Sequence, residues 1–250
     1  MNLENKVAIV TGGTRDIGKA VSLKLASLGA SVAINYHSNK AAGEATLAEV
    51  EKAGGKGVLI GGDMTVAADV DNLVAKTRSA FGGNIDILVN NVGGMVARKS
   101  LAEMDEDFFN HVMRLNLNST FLTMKAAVPH MESGASVINL SSLAGRDGGG
   151  PGAAAYSASK GAVMSFTRGM AKEFGPSGIR VNCICPGMIA TSFHDEFTKD
   201  AVRANVAAST PLKRQGDAAE IAGLVAYLAS SESSFITGAS LDINGGLAFS

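Results

Sequence analysis

Short apolar runs rich in Val and Ile recur between longer stretches of helical periodicity, and this alternation limits the fold more than any other feature of the chain. The runs cover residues 7–10, 31–35, 57–61, 85–90, 136–140, 179–184 and 240–243. Between them, stretches such as 17–28 and 41–53 carry Leu, Val and Ala at i, i+3, i+4 and i+7, with charges elsewhere. Strands that are apolar on both faces and alternate with helices imply a parallel sheet covered on both sides. The expectation is a single α/β domain over residues 1–250, a doubly wound parallel sheet of about seven strands with helices on both faces. A ligand site then lies beyond the carboxyl ends of the strands.

Composition excludes several classes. Lys plus Arg (22) nearly cancels Asp plus Glu (23), so no overall basic field attracts nucleic acid or an anionic membrane. Neither is expected as a partner. With no signal segment and no uninterrupted apolar stretch of roughly 20 residues, the expected compartment is the cytoplasm. The four histidines, His37, His111, His130 and His194, are too dispersed to suggest a metal site, and none is expected. Cys183 and Cys185 are read as core residues with side chains on opposite strand faces and no disulfide.

Directly after the first apolar run comes Thr11-Gly12-Gly13-Thr14-Arg15-Asp16-Ile17-Gly18, which opens the first helical stretch. A glycine turn there presents backbone N–H groups at a helix start, where the dipole favours a pyrophosphate. Further along, Tyr156 and Lys160 stand at i and i+4, one helical turn apart. That spacing brings an ammonium close to a phenol, whose pKa in water is about 10 and which nearby positive charge lowers. Ser142 follows the run 136–140, with Ser141 as a competing hydroxyl, and Asn116 lies in Asn116-Leu117-Asn118-Ser119.

Together these residues resemble the short-chain dehydrogenase/reductase family over nearly the whole chain, with the 3-oxoacyl-carrier-protein reductases as the nearest subgroup. The resemblance implies a Rossmann architecture, a nicotinamide cofactor, and an Asn116-Ser142-Tyr156-Lys160 tetrad. In it Tyr156 exchanges the proton, Ser142 holds the substrate oxygen, Lys160 binds the nicotinamide ribose and lowers the phenol pKa, and Asn116 positions a water. Gly145 aligns Ser142, not Ser141, with the family serine. The turn matches the family's T-G-x-x-x-G-x-G pattern at Thr11, Gly12 and Gly18 and departs from it at Asp16, where the family has glycine.

The implied cofactor contacts are Gly12, Thr14, Arg15, Asp16, Ile17, Gly18, Tyr36, His37, Ser38, Asp63, Met64, Asn90, Val92, Gly93, Tyr156, Lys160, Pro186, Gly187, Ile189 and Thr191. Asn90-Asn91-Val92-Gly93 resembles the family's N-N-A-G, and Asp63 resembles its adenine-contacting aspartate. No acid ends the second strand, where Tyr36-His37-Ser38 stands, and Arg15 can face a 2'-phosphate, so NADP(H) is favoured. Asp16 keeps NAD(H) or dual use open.

The implied reaction is reversible, NADPH-dependent reduction of a ketone or aldehyde to an alcohol. Residues 188–208 resemble the family's substrate lid. Carrier-protein docking residues are sparse, since residues 130–134 read His-Met-Glu-Ser-Gly and only Arg168 and Lys172 supply charge on the next helix. A free small polar substrate, such as a sugar-derived keto acid, is therefore preferred to an acyl carrier. A non-catalytic dinucleotide-binding sensor is the alternative of another class, and it has no need of the tetrad. The family resemblance also implies a homotetramer.

Overall fold

Strand β1 (Val7–Val10) is buried at all four residues, so its Val and Ile side chains need cover on both faces. That cover comes from a sheet built around it. A computed structural model, which describes residues 1–249, shows β2 (Ser31–Tyr36), β3 (Lys56–Gly61), β4 (Ile87–Asn90), β5 (Ser136–Leu140), β6 (Arg180–Pro186) and β7 (Ser240–Ile243). They form one sheet in the order β3-β2-β1-β4-β5-β6-β7, with every neighbouring pair parallel. The seven-stranded, doubly wound single domain expected from the sequence is present.

The helices are α1 (Asp16–Ser27), α2 (Lys40–Lys52), α3 (Ala67–Phe81), α4 (Glu106–Met113), α5 (Ser119–Ala127), α6 (Ala144–Asp147), α7 (Ala154–Phe174), α8 (Ser192–Phe197), α9 (Asp200–Ser209) and α10 (Ala218–Ala229). Residues of α1, α2 and α10, with Val21, Leu25, Val50, Ile221 and Val225 buried, pack on one face of the sheet. Those of α3, α5 and α7, including Leu73, Met124 and Ala171, pack on the other. Strand order reverses between β1 and β4, so the crevice above their carboxyl ends is where a doubly wound sheet takes a ligand.

Two strand limits differ from the sequence reading by two residues, and three others by one. Strand β4 starts at Ile87, because the Ile85 amide bonds the His130 carbonyl and the Asp86 amide bonds the Val7 carbonyl before ladder pairing with β5 begins. Strand β6 runs on to Pro186, which pairs with Ile243 and whose carbonyl accepts from Leu143 N. The cysteine geometry is also corrected. A strand has a side-chain period of two, so residues i and i+2 share a face. Cys183 and Cys185 accordingly sit together, both buried against Met164, and both are free thiols.

Among the described residues, no helix is long and apolar enough to cross a membrane, and no group of three His, Cys, Asp or Glu residues is placed to hold a metal ion. The fully buried Leu25 tests the core. Leu25→Ala is expected to cost about 2–5 kcal/mol, read as a lowered midpoint in urea denaturation, because the cavity between α1 and its neighbours cannot fully collapse.

Candidate active site

The turn after β1 is built by close approach. Gly12 has φ +59°, and a Cβ on Gly18 would lie 2.0 Å from the Gly12 carbonyl oxygen. No other residue fits at position 18. Asp16 adopts φ +48°, which a short polar side chain tolerates, so the departure from glycine leaves the turn in place. Two residues that sequence reasoning did not single out hold it. Asn35 accepts from Gly12 N through Oδ1 (3.1 Å) and donates through Nδ2 to the carbonyls of Tyr36 (3.2 Å), Ile60 (3.4 Å) and Gly62 (3.0 Å). Asn91 donates through Nδ2 to the Thr11 carbonyl (3.0 Å) and the Gly12 carbonyl (3.1 Å). For Asn35 the available signal was a polar residue inside an apolar strand, since a buried amide must find partners.

The four tetrad positions come from separate elements. Asn116 lies in a π-helical turn, Arg114–Asn118, between α4 and α5, a local widening often found at functional sites. It is fully buried. Its Oδ1 accepts from Gly94 N (2.9 Å), and its Nδ2 donates to the Gly94 and Val112 carbonyls (both 2.9 Å). Lys160, on α7, is 4% exposed and donates to the Leu140 carbonyl at 2.7 Å. Its Nζ lies 5.8 Å from the Tyr156 ring centroid. A Cβ on Gly93 would come within 2.5 Å of Asn116 Oδ1 and 2.8 Å of Lys160 Nζ, so the bare glycine forms the floor between them.

The two serines separate by partner. Ser141 is buried and its hydroxyl donates to the Lys160 carbonyl (2.8 Å), which commits it to holding α7. The Ser142 hydroxyl accepts from Ala144 N (3.1 Å) and hydrogen-bonds Tyr156. Burial pushes the Tyr156 phenol above its ordinary value, and the Ser142 hydrogen bond works against that shift. Burial also brings the Lys160 ammonium down to about 8. The phenol is thus raised in the chain alone, where sequence reasoning looked for a lowered value.

The remaining predicted positions divide by how their side chains are used. Arg15, His37 and Ser38 are exposed at the rim, and Thr14 lends its carbonyl to the Thr46 hydroxyl (3.2 Å). Burial raises the Asp63 carboxyl, but bonds from Thr65 and the nearby His37 and Arg114 more than offset it and hold the group below its usual range. Thr65 N donates to it at 2.8 Å. Met64 and Ile189 are buried in the core, and Val92 packs against it. The Asn90 side chain is spent on Asn139 and Thr123. Met64, Ile189 and Asn90 have only backbone to offer a ligand, whereas Val92 is partly exposed beside the glycine turn. Gly187 faces Asn244, where a Cβ would lie 2.8 Å from its Cα. Thr191 donates to the Ile189 carbonyl (3.2 Å).

The expected lid region contains α8 and α9. Phe193 of α8 lies 5.7 Å from Tyr156, ring centroid to ring centroid, and packs on Phe197 at 5.1 Å and on His194 at 5.1 Å. Arg98 reaches the same place, donating to the Phe197 carbonyl (3.0 Å) and the Pro151 carbonyl (2.9 Å).

Comparison with known proteins agrees with this geometry. A family model described as enoyl-(acyl carrier protein) reductase matches residues 12–248. The 3-oxoacyl-[acyl-carrier-protein] reductase FabG of Escherichia coli is 36% identical over 249 residues, covering 99% of each chain. The solved structure of an NADH-dependent reductase, A1-R', responsible for alginate metabolism, superposes with a TM-score of 0.90 at 35% identity over 99% of each chain. That of a blue fluorescent protein from a metagenomic library, in complex with NADPH, gives 0.93 at 35% identity over the whole of both. With a matching turn, sheet order and relatives along its full length, the chain belongs to the short-chain dehydrogenase/reductase family of NAD(P)-dependent oxidoreductases.

Proposed function

We propose that the chain reduces the carbonyl of a small, free, polar substrate with NADPH, and that Tyr156, Ser142, Lys160 and Asn116 carry the reaction. The observation that supports this best is the bare floor at Gly93, where Asn116 Oδ1 and Lys160 Nζ converge beside the Tyr156 ring. A dinucleotide fits such a site. The turn has no room for a side chain at Gly18, and a buried ammonium with one bond to Leu140 keeps two donors for ribose hydroxyls.

When bound, the reduced nicotinamide supplies a hydride for the carbonyl carbon. Tyr156 gives its phenolic proton to the carbonyl oxygen, so no free alkoxide forms, and Ser142 holds that oxygen by hydrogen bonding. Lys160 holds the ribose and stabilises the phenolate left on Tyr156. Asn116 positions a water that returns the proton. The Gly12, Arg15, Ile17 and Gly18 positions hold the phosphates, Asp63 and Met64 the adenine, and Gly187, Ile189 and Thr191 the carboxamide side.

NADPH is favoured because no acid follows β2, where Tyr36, His37 and Ser38 stand, and because the Arg15 side chain in the glycine turn is open to solvent. The relatives divide between the two cofactors by name. A second reading, reduction of 3-oxoacyl groups on a carrier protein, draws support from the E. coli relative. Assembly as a homotetramer is supported by the apolar groove lined by Met113, Leu117, Phe121 and Phe166. Sedimentation at micromolar concentration is expected to give a tetramer, and a monomer would overturn this.

His194 is held neutral. Burial, then Arg203 and Arg98, bring its pKa down to about 4 from 6.5. The unfolded chain takes up this proton near pH 6.5 and the folded chain only near 4, so stability falls as pH drops through that window. His194→Gln is expected to flatten the decline of the urea midpoint between pH 6.5 and 4; an unchanged slope counts against a neutral buried imidazole.

Turnover on free keto acids and aldehydes, followed at the reduced-nicotinamide absorbance band, tests the proposal. Tyr156→Phe is expected to lose at least about a hundredfold, the usual size of general-acid assistance. Ser142→Ala should lose far more activity than Ser141→Ala. Activity only with acyl-carrier substrates selects the second reading, and strong preference for NADH overturns the role given to Arg15.

A further inference from the structure

Asp16 stands where the T-G-x-x-x-G-x-G pattern has glycine, and its carboxylate is turned toward Ser192. Oδ1 accepts from the Ser192 amide at 3.0 Å, and Oδ2 accepts from the Ser192 hydroxyl. Arg15 joins from the same turn, its Nη1 donating to Ser192 Oγ at 3.1 Å and its Nε lying 4.0 Å from Asp16 Oδ2. Residues 16 and 192 are 176 apart in the chain.

Helix α8 needs this help. The residue before it, Thr191, is extended and makes no side-chain cap, so the first amide of the helix has no local acceptor. Six residues are also too few for a helix to persist on local bonds alone. A carboxylate at its start supplies the missing acceptor and the favourable charge. At the other end of α8, Arg98 holds the Phe197 carbonyl. The segment is therefore pinned at both ends, and between the pins Phe193 lies over the Tyr156 ring.

We infer that Asp16 is a positioning residue that seats the substrate lid over Tyr156, coupling the cofactor turn to the substrate side of the cleft. Both of its oxygens are engaged by Ser192, so its carboxylate serves the lid and not a cofactor ribose. The inference rests on the carbonyl-reductase reading only for its effect on turnover; the pin itself is independent of it.

Hydrogen–deuterium exchange of the chain without cofactor tests the pin directly. Losing a charge-assisted bond pair should speed exchange in residues 192–197 at least about tenfold in Asp16→Gly, with residues 7–10 and 218–229 unchanged. Asp16→Asn keeps one acceptor oxygen and should fall between wild type and Asp16→Gly, which separates loss of the pin from the added freedom of glycine. In turnover, Asp16→Gly and Ser192→Ala should each raise KM for the carbonyl about tenfold and the cofactor KM much less, and the double variant should be no worse than either single one. Unchanged exchange in residues 192–197 overturns the inference, as does an Asp16→Gly effect confined to cofactor KM or an additive double variant. If no carbonyl is turned over by the wild-type chain, the reductase reading fails while the exchange result still decides the pin.

Discussion

Everything around the cleft depends on how closely the turn after β1 approaches the chain leaving β4. The Thr11 hydroxyl accepts from the amides of both Asn91 (3.0 Å) and Val92 (3.2 Å), and Asn91 returns its own side-chain amide to the turn. Such contact is possible only because Gly18 has no Cβ. Since strand order reverses at β1 and β4, the same bonds fix the width of the crevice at the switch point. Asn35 extends the clamp to β2 and β3, so four strands share one hydrogen-bonded rim.

The sheet was legible because buried parallel strands have few ways to be written, and each of the seven apolar runs became a strand. The site was legible in part. Tyr156, Lys160, Ser142 and Asn116 come together as their spacing and the family pattern suggested, whereas residues such as Met64 and Ile189 matched by position have their side chains in the core. A pattern match cannot tell a backbone contact from a side-chain contact. Asn35 and Asn91 were given no role because most of what they bond, the turn backbone and the carbonyls of Ile60 and Gly62, is distant in sequence, and the cysteine pair was misplaced by a faulty count of strand period, not by missing information. The bond from Asp16 to Ser192 joins positions 176 residues apart, and no local pattern encodes it.

Burial acts on the two titrating groups of the cleft in opposite senses. It raises the Tyr156 phenol above its ordinary value and lowers the Lys160 ammonium to about 8, so their proton affinities move apart and the ammonium is the first of the two to lose its proton. The phenol therefore keeps its proton in the chain alone, before any cofactor charge is added. For the reverse reaction the phenolate must be formed, and the groups able to favour it are the Ser142 hydroxyl and the Lys160 cation 5.8 Å from the ring. Lys160 loses its proton near 8, below the range in which the raised phenol ionises, so in the chain alone its support for a phenolate is already weakened there. Both groups sit on α7, and the Ser141 bond to the Lys160 carbonyl fixes that helix, which helps keep the phenol and the ammonium in register.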